Sequence, residues 1–264
     1  MPNVLHALFV AWQNPVTRSF FPVARLAQIQ GEDCPDCFEF AYVQGALTAE
    51  GFLPFVSFPD QNQIYRSREL FPMFANRILS TTRSDFPEYI ELLGLPSATT
   101  NPITILSRSA GRRATDTLEL FPLPEFEPGY GYRTWFWAHD LRYLPPSNQD
   151  RILQLLPSDR VLPECDCNNA IDIFAINLVT QDRIRIGFMP SYLLDDAHTL
   201  QESCDICEIY VERVNPHPVP AQQRLLCCLN SCWPDGWVPY STQRYQPLSS
   251  EASVVLPPVF DVAN

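Results

Sequence analysis

Two runs in which apolar and polar residues alternate constrain the fold more than any other stretch of this chain. The runs cover 174–179 and 184–188, and the short polar segment Thr180-Gln181-Asp182 connects them. A period of two predicts β-strands, because successive side chains of a strand point to opposite faces, and the short connection predicts an antiparallel pair. A polar turn, Asp166-Cys167-Asn168-Asn169, precedes the first run. The pattern therefore predicts a β-hairpin with a polar rim, which favours a binding function.

Proline breaks the rest of the chain into short elements. There are 26 prolines among 264 residues, and a proline inside a helix removes a hydrogen bond and clashes with the preceding turn. The hydrophobic share of 46% is still sufficient for a real core. The length allows one large or two small domains. Together with the strand and helix patterns of its two halves, this leads us to expect a β-rich α+β protein with two modules.

The charge of the chain limits its partners. The 18 basic residues are all arginine, and 30 acidic residues give a net charge of −12. This acidic protein is a poor candidate for loose electrostatic binding to nucleic acid, although a local arginine-lined pocket remains open. No apolar run approaches the roughly 20 residues of a membrane span, and the apolar start 4–12 lacks the basic region of a signal peptide. We expect a cytoplasmic protein, with no membrane partner and with its nine cysteines reduced.

Residues 1–125 have the pattern of an α+β domain. Helical spacing predicts one helix after Ser67 and a second that begins at Asp85 and ends at Gly94. Alternation and turn residues predict strands at 4–12, 20–29, 38–42, 103–107 and 117–121.

The hydrophobic motifs of this half occur in the same order as in the N-terminal subdomain of HipA-type proteins, which the region from about Leu5 to Pro122 resembles. The motifs are FPVARL at 21–26, FEFAY at 38–42, SFPD at 57–60 and FPMFANRIL at 71–79. In HipA proteins the subdomain precedes a kinase-like domain. This sequence has no catalytic aspartate loop and no glycine-rich loop, so phosphotransfer is not carried over. Stand-alone subdomains of this type resemble neutralising partners, which implies a protein–protein adaptor or antitoxin-like module that binds a kinase-like or helicase-like protein.

Residues 126–240 are predicted to form a second domain of short strands and two helices. The acidic, Pro- and Gly-containing segment Glu125–Tyr132 is the predicted linker. The helices are expected at 147–156 and after Ser191. Further strands are expected at 134–139, 160–162, 206–214 and 225–229. The polar residues 241–264 are predicted to be a tail that is disordered in part.

The second half resembles the HIRAN domain from about Trp135 to Val214. Leu141-Arg142-Tyr143 matches the first-strand motif of that family, and DCNNAIDIFAI at 166–176 matches its D-x-N-N-x-x-D-x-x-A-I pattern without a gap. IGFMP at 186–190 matches the glycine-containing second strand. The resemblance implies a small β-barrel related to OB and SH3 folds, with helices at its side. It also implies non-catalytic binding of nucleic acid, in particular of single-stranded DNA 3′ ends.

The same resemblance assigns roles to individual side chains. Arg142 would contact phosphate and Tyr143 would stack on a base. Asn169 would hydrogen-bond the strand, and Asp172 would accept a hydrogen bond from the terminal 3′-OH. These roles fit the chemistry of the groups, since an arginine fork matches phosphate, a carboxylate accepts from a hydroxyl and an aromatic face stacks on any base.

One departure from the family pattern and two alternative roles for matching residues leave the assignment open. Ile171 stands where the family has a stacking tyrosine, and Phe188, in a pocket position, is the candidate to replace it. Asn168, Asn169 and Asp172 could instead stabilise a turn through hydrogen bonds to the backbone. Arg142 could pair with Asp172 or Asp166 rather than with phosphate.

The cysteines and histidines point to no cofactor and no enzyme. Cys34 with Cys37 and Cys204 with Cys207 form two C-x-x-C pairs, so a structural zinc site built from both pairs stays open. Their separation of about 170 residues is unlike the compact spacing of a zinc ribbon. No motif supports a nucleophile–base arrangement, so we expect no catalytic residues.

Overall fold

The computed structural model describes residues 3–31, 34–113, 115–129, 131–166 and 174–253, which contain twelve strands and six α-helices. The strands are β1 (Asn3–Gln13), β2 (Phe20–Gly31), β3 (Cys34–Tyr42), β4 (Tyr65–Ser67), β5 (Leu118–Pro122), β6 (Glu125–Glu127), β7 (Gly131–Trp137), β8 (Arg160–Cys165), β9 (Ile176–Val179), β10 (Arg185–Phe188), β11 (Cys207–Val214) and β12 (Leu225–Ser231). The helices are α1 (Gly45–Thr48), α2 (Pro72–Ala75), α3 (Phe86–Leu92), α4 (Pro102–Ser109), α5 (Pro146–Leu153) and α6 (Leu194–Ser203). In the described part of the chain, no helix has both the length and the apolar character needed to cross a membrane.

The described residues form two compact units. Unit 1 contains those within 1–83, 100–123 and 238–264, and unit 2 contains those within 84–99 and 124–237. The helix predicted at Asp85 is therefore part of unit 2. The prediction of a tail from residue 241 differs from the structure up to Ser253, because Tyr240 and Tyr245 are buried and pack edge-on against Phe9 at ring distances of 5.4 and 5.0 Å. Residues 254–264 lie outside the described residues.

Unit 1 is built on a five-stranded antiparallel sheet. Its strand order is β4-β3-β2-β1-β5, so the first three predicted strands are confirmed and form a meander. Aromatic side chains fill the core beside it, where the rings of Phe40 and Phe58 stack at 3.9 Å. The buried hydroxyl of Tyr42 donates to the Phe58 carbonyl and accepts from the Phe55 amide, both at 2.7 Å. These two bonds fix the loop that follows α1 against the sheet.

The strand predicted at 103–107 is wrong, because this segment is helix α4. Asn101 is its N-cap, and the side-chain oxygen accepts from the amides of Ile103 and Thr104 at 2.9 and 3.1 Å. Pro102 occupies the first turn, where a missing amide hydrogen costs no hydrogen bond. An Asn-Pro pair at the start of an apolar run is a helix-start signal, and here it outweighs the β-propensity of the isoleucines.

Unit 2 contains a seven-stranded antiparallel sheet in the order β10-β9-β8-β11-β12-β7-β6. The predicted linker Glu125–Tyr132 instead contributes β6 and the start of β7, which pair with each other. The strands expected at 206–214 and 225–229 are confirmed as β11 and β12. The predicted helices are present as α5 and as α6, which a single 3-10 turn, Ser191–Leu193, precedes.

The expected closed barrel is not formed by the described residues of unit 2. The two parts of β8 pair with different strands. Arg160 and Val161 pair with β11, whereas 162–165 pair with β9. After β7, one isolated bridge joins His139 to Phe188 at the end of β10. One bridge is not a ladder of strand pairs, so the sheet remains open.

Candidate nucleic-acid interface

Arg142 and Tyr143 lie in a 3-10 turn, Leu141–Tyr143, which begins four residues after the end of β7, and not in the strand that the family motif predicts. Leu141 is buried and anchors the turn, whereas the next two side chains are exposed. The guanidinium carbon of Arg142 lies 4.5 Å from the centroid of the Tyr143 ring. Tyr143 is 66% exposed, so a cation is held beside an aromatic residue that solvent reaches.

Phe188 forms a second pair of this kind with Arg185, whose guanidinium carbon lies 5.4 Å from the ring centroid. In a regular strand, residues three apart point to opposite faces. Here the register shifts between Arg185 and Gly187, so that Arg185 lies opposite Val179 and Phe188 lies opposite Asn177. This β-bulge brings both side chains to one face.

Gly187 lets the turn that carries Arg142 approach β10. Its φ is +143°, and a Cβ atom there would lie 3.0 Å from the His139 carbonyl oxygen and 3.0 Å from a methyl group of Leu141. His139 and Phe188 exchange two backbone hydrogen bonds at 2.9 and 3.1 Å. His139 therefore pairs with Phe188, and the turn that bears Arg142 and Tyr143 begins two residues after His139. The structure thus connects three of the five predicted binding residues.

The other two, Asn169 and Asp172, lie outside the described residues, as do Asn168 and Ile171. Two described residues that flank this segment are hydrogen-bonded to each other, because the amide of Asp166 donates to the carbonyl of Ala175 at 2.8 Å. The roles expected for Asn169 and Asp172 stay predictions.

Acidic side chains around the hairpin are engaged with partners. Glu164 forms an ion pair with Arg183, and Asp196 is buried and accepts from the hydroxyl of Tyr132 at 3.3 Å. Hydrogen bonds from Arg151 lower the pKa of Asp182 to about 2. In contrast, no carboxylate among the described residues forms an ion pair with Arg142 or Arg185. The guanidinium groups of these two arginines are therefore not neutralised by an ion pair with a described carboxylate.

Sequence reasoning missed two candidates that the structure adds. In the alternating pattern, Arg185 is only a residue on the polar side of a strand. A glycine inside a strand often marks a bulge, so Gly187 is the sequence signal for the bulge that turns Arg185 towards Phe188. Phe174 is exposed and its ring lies 6.1 Å from that of His198, whose Nε2 is 3.1 Å from the Phe174 carbonyl oxygen. An exposed aromatic ring there is a further stacking surface.

The expectation that all nine cysteines are reduced is wrong. Cys204 and Cys232 form a disulfide with Cα atoms 5.8 Å apart, and Cys37 is also disulfide-bonded. The pairing of Cys207 with Ser231 across β11 and β12 positions Cys232 close to the end of α6, and sequence spacing could not show this.

These disulfides also remove two of the weak zinc candidates, Cys37 and Cys204, because only a thiolate binds zinc. Cys207 is half-buried, and burial raises the pKa of its thiol. The side chain of Cys34 lies outside what the structure describes. No group of three or more His, Cys, Asp or Glu side chains in the described ranges is arranged to hold a metal ion.

Comparison with known proteins adds no relative. No family model, no curated protein and no solved structure matches the chain. The functional assignment therefore depends on the residues and their geometry.

Proposed function

We propose that this protein binds nucleic acid without catalysing a reaction, and that it takes up single-stranded DNA 3′ ends on its unit 2. The proposed surface, called here the arginine–aromatic surface, consists of Arg142, Tyr143, Arg185 and Phe188. The observation that carries the proposal is the pairing of each arginine with an aromatic ring on two segments that the His139–Phe188 bridge joins.

The chemistry of single-strand binding supports this proposal. Proteins of this class combine cations that follow the phosphates with aromatic rings on which bases stack, and each stacked base contributes about 1–3 kcal/mol. Arg142 and Arg185 would supply the cations, while Tyr143 offers the exposed ring. Asn169 and Asp172 remain the residues proposed to contact the strand and its terminal hydroxyl.

Fluorescence anisotropy with a short labelled single strand tests the proposal at low salt. We expect R142Q and R185Q each to weaken binding about threefold to tenfold and to reduce the dependence on salt, because each removes one phosphate contact. Y143A should weaken binding about fivefold or more through lost stacking. Blocking the 3′ end with a phosphate should weaken binding to the wild type but not to D172N.

The matched control is R160Q, which makes the same change in charge at an exposed arginine that pairs with Glu208 and lies in another strand. R160Q should bind like the wild type. If the wild type fails to bind short strands at low salt, or if R142Q and R160Q behave alike, the arginine–aromatic surface is not a nucleic-acid site. Indifference to the blocked end would remove the 3′-end assignment alone.

Unit 1 supports a second candidate function, the protein–protein adaptor or antitoxin-like module. Leu53 and Val56 are 78% and 98% exposed in the loop after α1, and Val16 is 87% exposed in the turn after β1. The side chain of Asn14 holds these two loops together by donating to the carbonyl of Glu50 at 3.0 Å. Grouped apolar side chains that face solvent are typical of surfaces that contact other proteins.

Co-purification with a kinase-like or helicase-like protein encoded beside the gene tests this second candidate. L53D/V56D should abolish co-purification and leave single-strand binding unchanged, because both substitutions lie in unit 1. If the double variant retains the partner, the apolar loops are not the contact surface.

A further inference from the structure

Arg224 is a buried cation whose positive charge has no acidic partner among the described residues. Only 8% of the residue is exposed. One terminal nitrogen donates to the carbonyl of Val219 at 2.5 Å and lies 3.4 Å from Nδ1 of His217. Its Nε is buried without any hydrogen-bond partner. Burial lowers the pKa of Arg224, as expected for a charge removed from water without compensation.

The buried arginine lines a cavity of about 170 Å³ in unit 2. Apart from Arg224, the lining is mainly apolar. Its polar residues include Gln149 and Asp150, and they come from one turn of α5 and from the loop before β12. The apolar wall consists of Leu141, Pro146, Ile152, Leu153 and Ala221. Small-molecule sites have this composition, with mostly apolar walls and a few polar groups that orient the ligand.

We propose that this cavity binds a small monocarboxylate with a short apolar body. The carboxylate would pair with the guanidinium of Arg224, since the planar fork of arginine matches a carboxylate and a buried charge is stabilised by an opposite one. The aliphatic part would lie against Leu153 and Ile152. Asp150 lies in the lining and would repel a dianion more strongly than a singly charged group, so a carboxylate fits better than a phosphate.

This site is separate from the nucleic-acid binding proposed above. Its arginine belongs to the loop before β12, whereas the arginine–aromatic surface uses Arg185 and Phe188 of β10 and the exposed side chains of the turn after β7. Leu141 belongs to that turn but is buried, so that its side chain contributes to the cavity wall while Arg142 and Tyr143 face solvent. Each proposal can therefore fail without the other.

Isothermal titration of the full chain with butanoate at constant ionic strength tests the site. Butanamide has the same body without the charge, acetate has the charge with a shorter body, and inorganic phosphate is the competing anion. We expect butanoate to bind at least about tenfold more tightly than butanamide, and more tightly than acetate or phosphate. R224M should lose at least about tenfold in affinity for butanoate, whereas R160Q should bind it like the wild type.

A second variant separates ligand binding from folding, because Arg224 also holds the loop through Val219. L153W leaves Arg224 in place and fills the cavity from a position that is partly exposed, so it should fold normally and lose butanoate binding. Near-ultraviolet circular dichroism checks that its fold is retained. Absence of butanoate binding to the wild type, equal affinity for butanamide, tighter binding of phosphate, or full affinity in a folded L153W would each overturn the proposal.

Discussion

Glu39 accepts hydrogen bonds from both the backbone amide and the hydroxyl of Ser253, at 2.9 and 2.8 Å, across 214 residues of sequence. Its carboxylate also pairs with Arg25 and Arg66, at 3.3 and 2.9 Å. Glu39 is 1% exposed, so the described end of the chain is fixed by a buried charge on β3, an inner strand of the sheet of unit 1. Three parts of the sequence share this one carboxylate.

Replacement of this carboxylate by the isosteric amide should destabilise unit 1. In E39Q the buried guanidinium of Arg25 loses its counter-charge, and breaking a buried pair in this way costs about 3–5 kcal/mol in the free energy of unfolding. Urea unfolding followed by circular dichroism measures the change. The control is R66Q, which removes a half-exposed partner of the same carboxylate and should cost about 1 kcal/mol or less. Equal stability of E39Q and the wild type would show that the cluster contributes nothing.

A methyl group at Gly187 should displace the turn that carries Arg142 and Tyr143 and so disturb the arginine–aromatic surface. In G187A the added Cβ would contact the His139 carbonyl oxygen and Leu141 at 3.0 Å, and the φ of +143° is unfavourable for alanine. We expect a loss of about 1–3 kcal/mol in stability, by urea unfolding, and at least fivefold weaker single-strand binding by anisotropy.

Gly129 provides the control for this substitution. Its φ is +87°, but a Cβ there would meet no atom within 4 Å. G129A should therefore show the backbone strain alone and keep the affinity of the wild type. If G187A binds the single strand as tightly as G129A, the close approach of the turn to β10 does not support the binding surface.

The buried hydroxyl of Tyr42 should make stability depend on pH in the alkaline range. Burial raises the pKa of Tyr42 to about 12 from an ordinary value of 10.0. The folded state therefore holds the proton more tightly than the unfolded state, and stability is complete below pH 10 and falls between about pH 10 and 12.

Y42F should reduce this fall because it removes the ionisable group. At neutral pH it should cost about 1–3 kcal/mol, since the amide of Phe55 and the carbonyl of Phe58 lose their common partner. Urea unfolding at pH 7 and at several values from 9.5 to about 12 compares the two proteins. Parallel curves over the alkaline range would contradict the assignment of the pH dependence to Tyr42.

The disulfide between Cys204 and Cys232 should stabilise unit 2. It closes a loop over a sequence separation of 28, for which the chain-entropy model gives about 3–4 kcal/mol. C204S/C232S should therefore unfold at lower urea concentration than the wild type in the absence of reductant. The control is C165S, at an exposed free cysteine, which should leave the unfolding midpoint unchanged. Matching midpoints for C204S/C232S and C165S would show that the bridge does not form in solution.

The strands and most helices could be predicted from local patterns, because alternation and helix-start signals act over a few residues. The first three strands, α3 and its glycine end at Gly94, and strands β11 and β12 follow such patterns. The segment 103–107 was assigned wrongly since branched side chains suit both states, and the cap at Asn101 decided the outcome. Arg142, Tyr143 and Phe188 are predicted binding residues because of a family resemblance, which names the residues but not their arrangement.

The sequence by itself therefore determined most of the strands and helices and the acidic, arginine-only charge of this protein. Only the tertiary structure decided that Arg185 turns towards Phe188, that Cys204 meets Cys232, that Glu39 holds Ser253 and that Arg224 is buried without an acidic partner. These relationships join residues across a bulge, a strand pair or more than two hundred positions. Such contacts depend on strand register and on the packing of distant segments, and local sequence patterns carry no information about either.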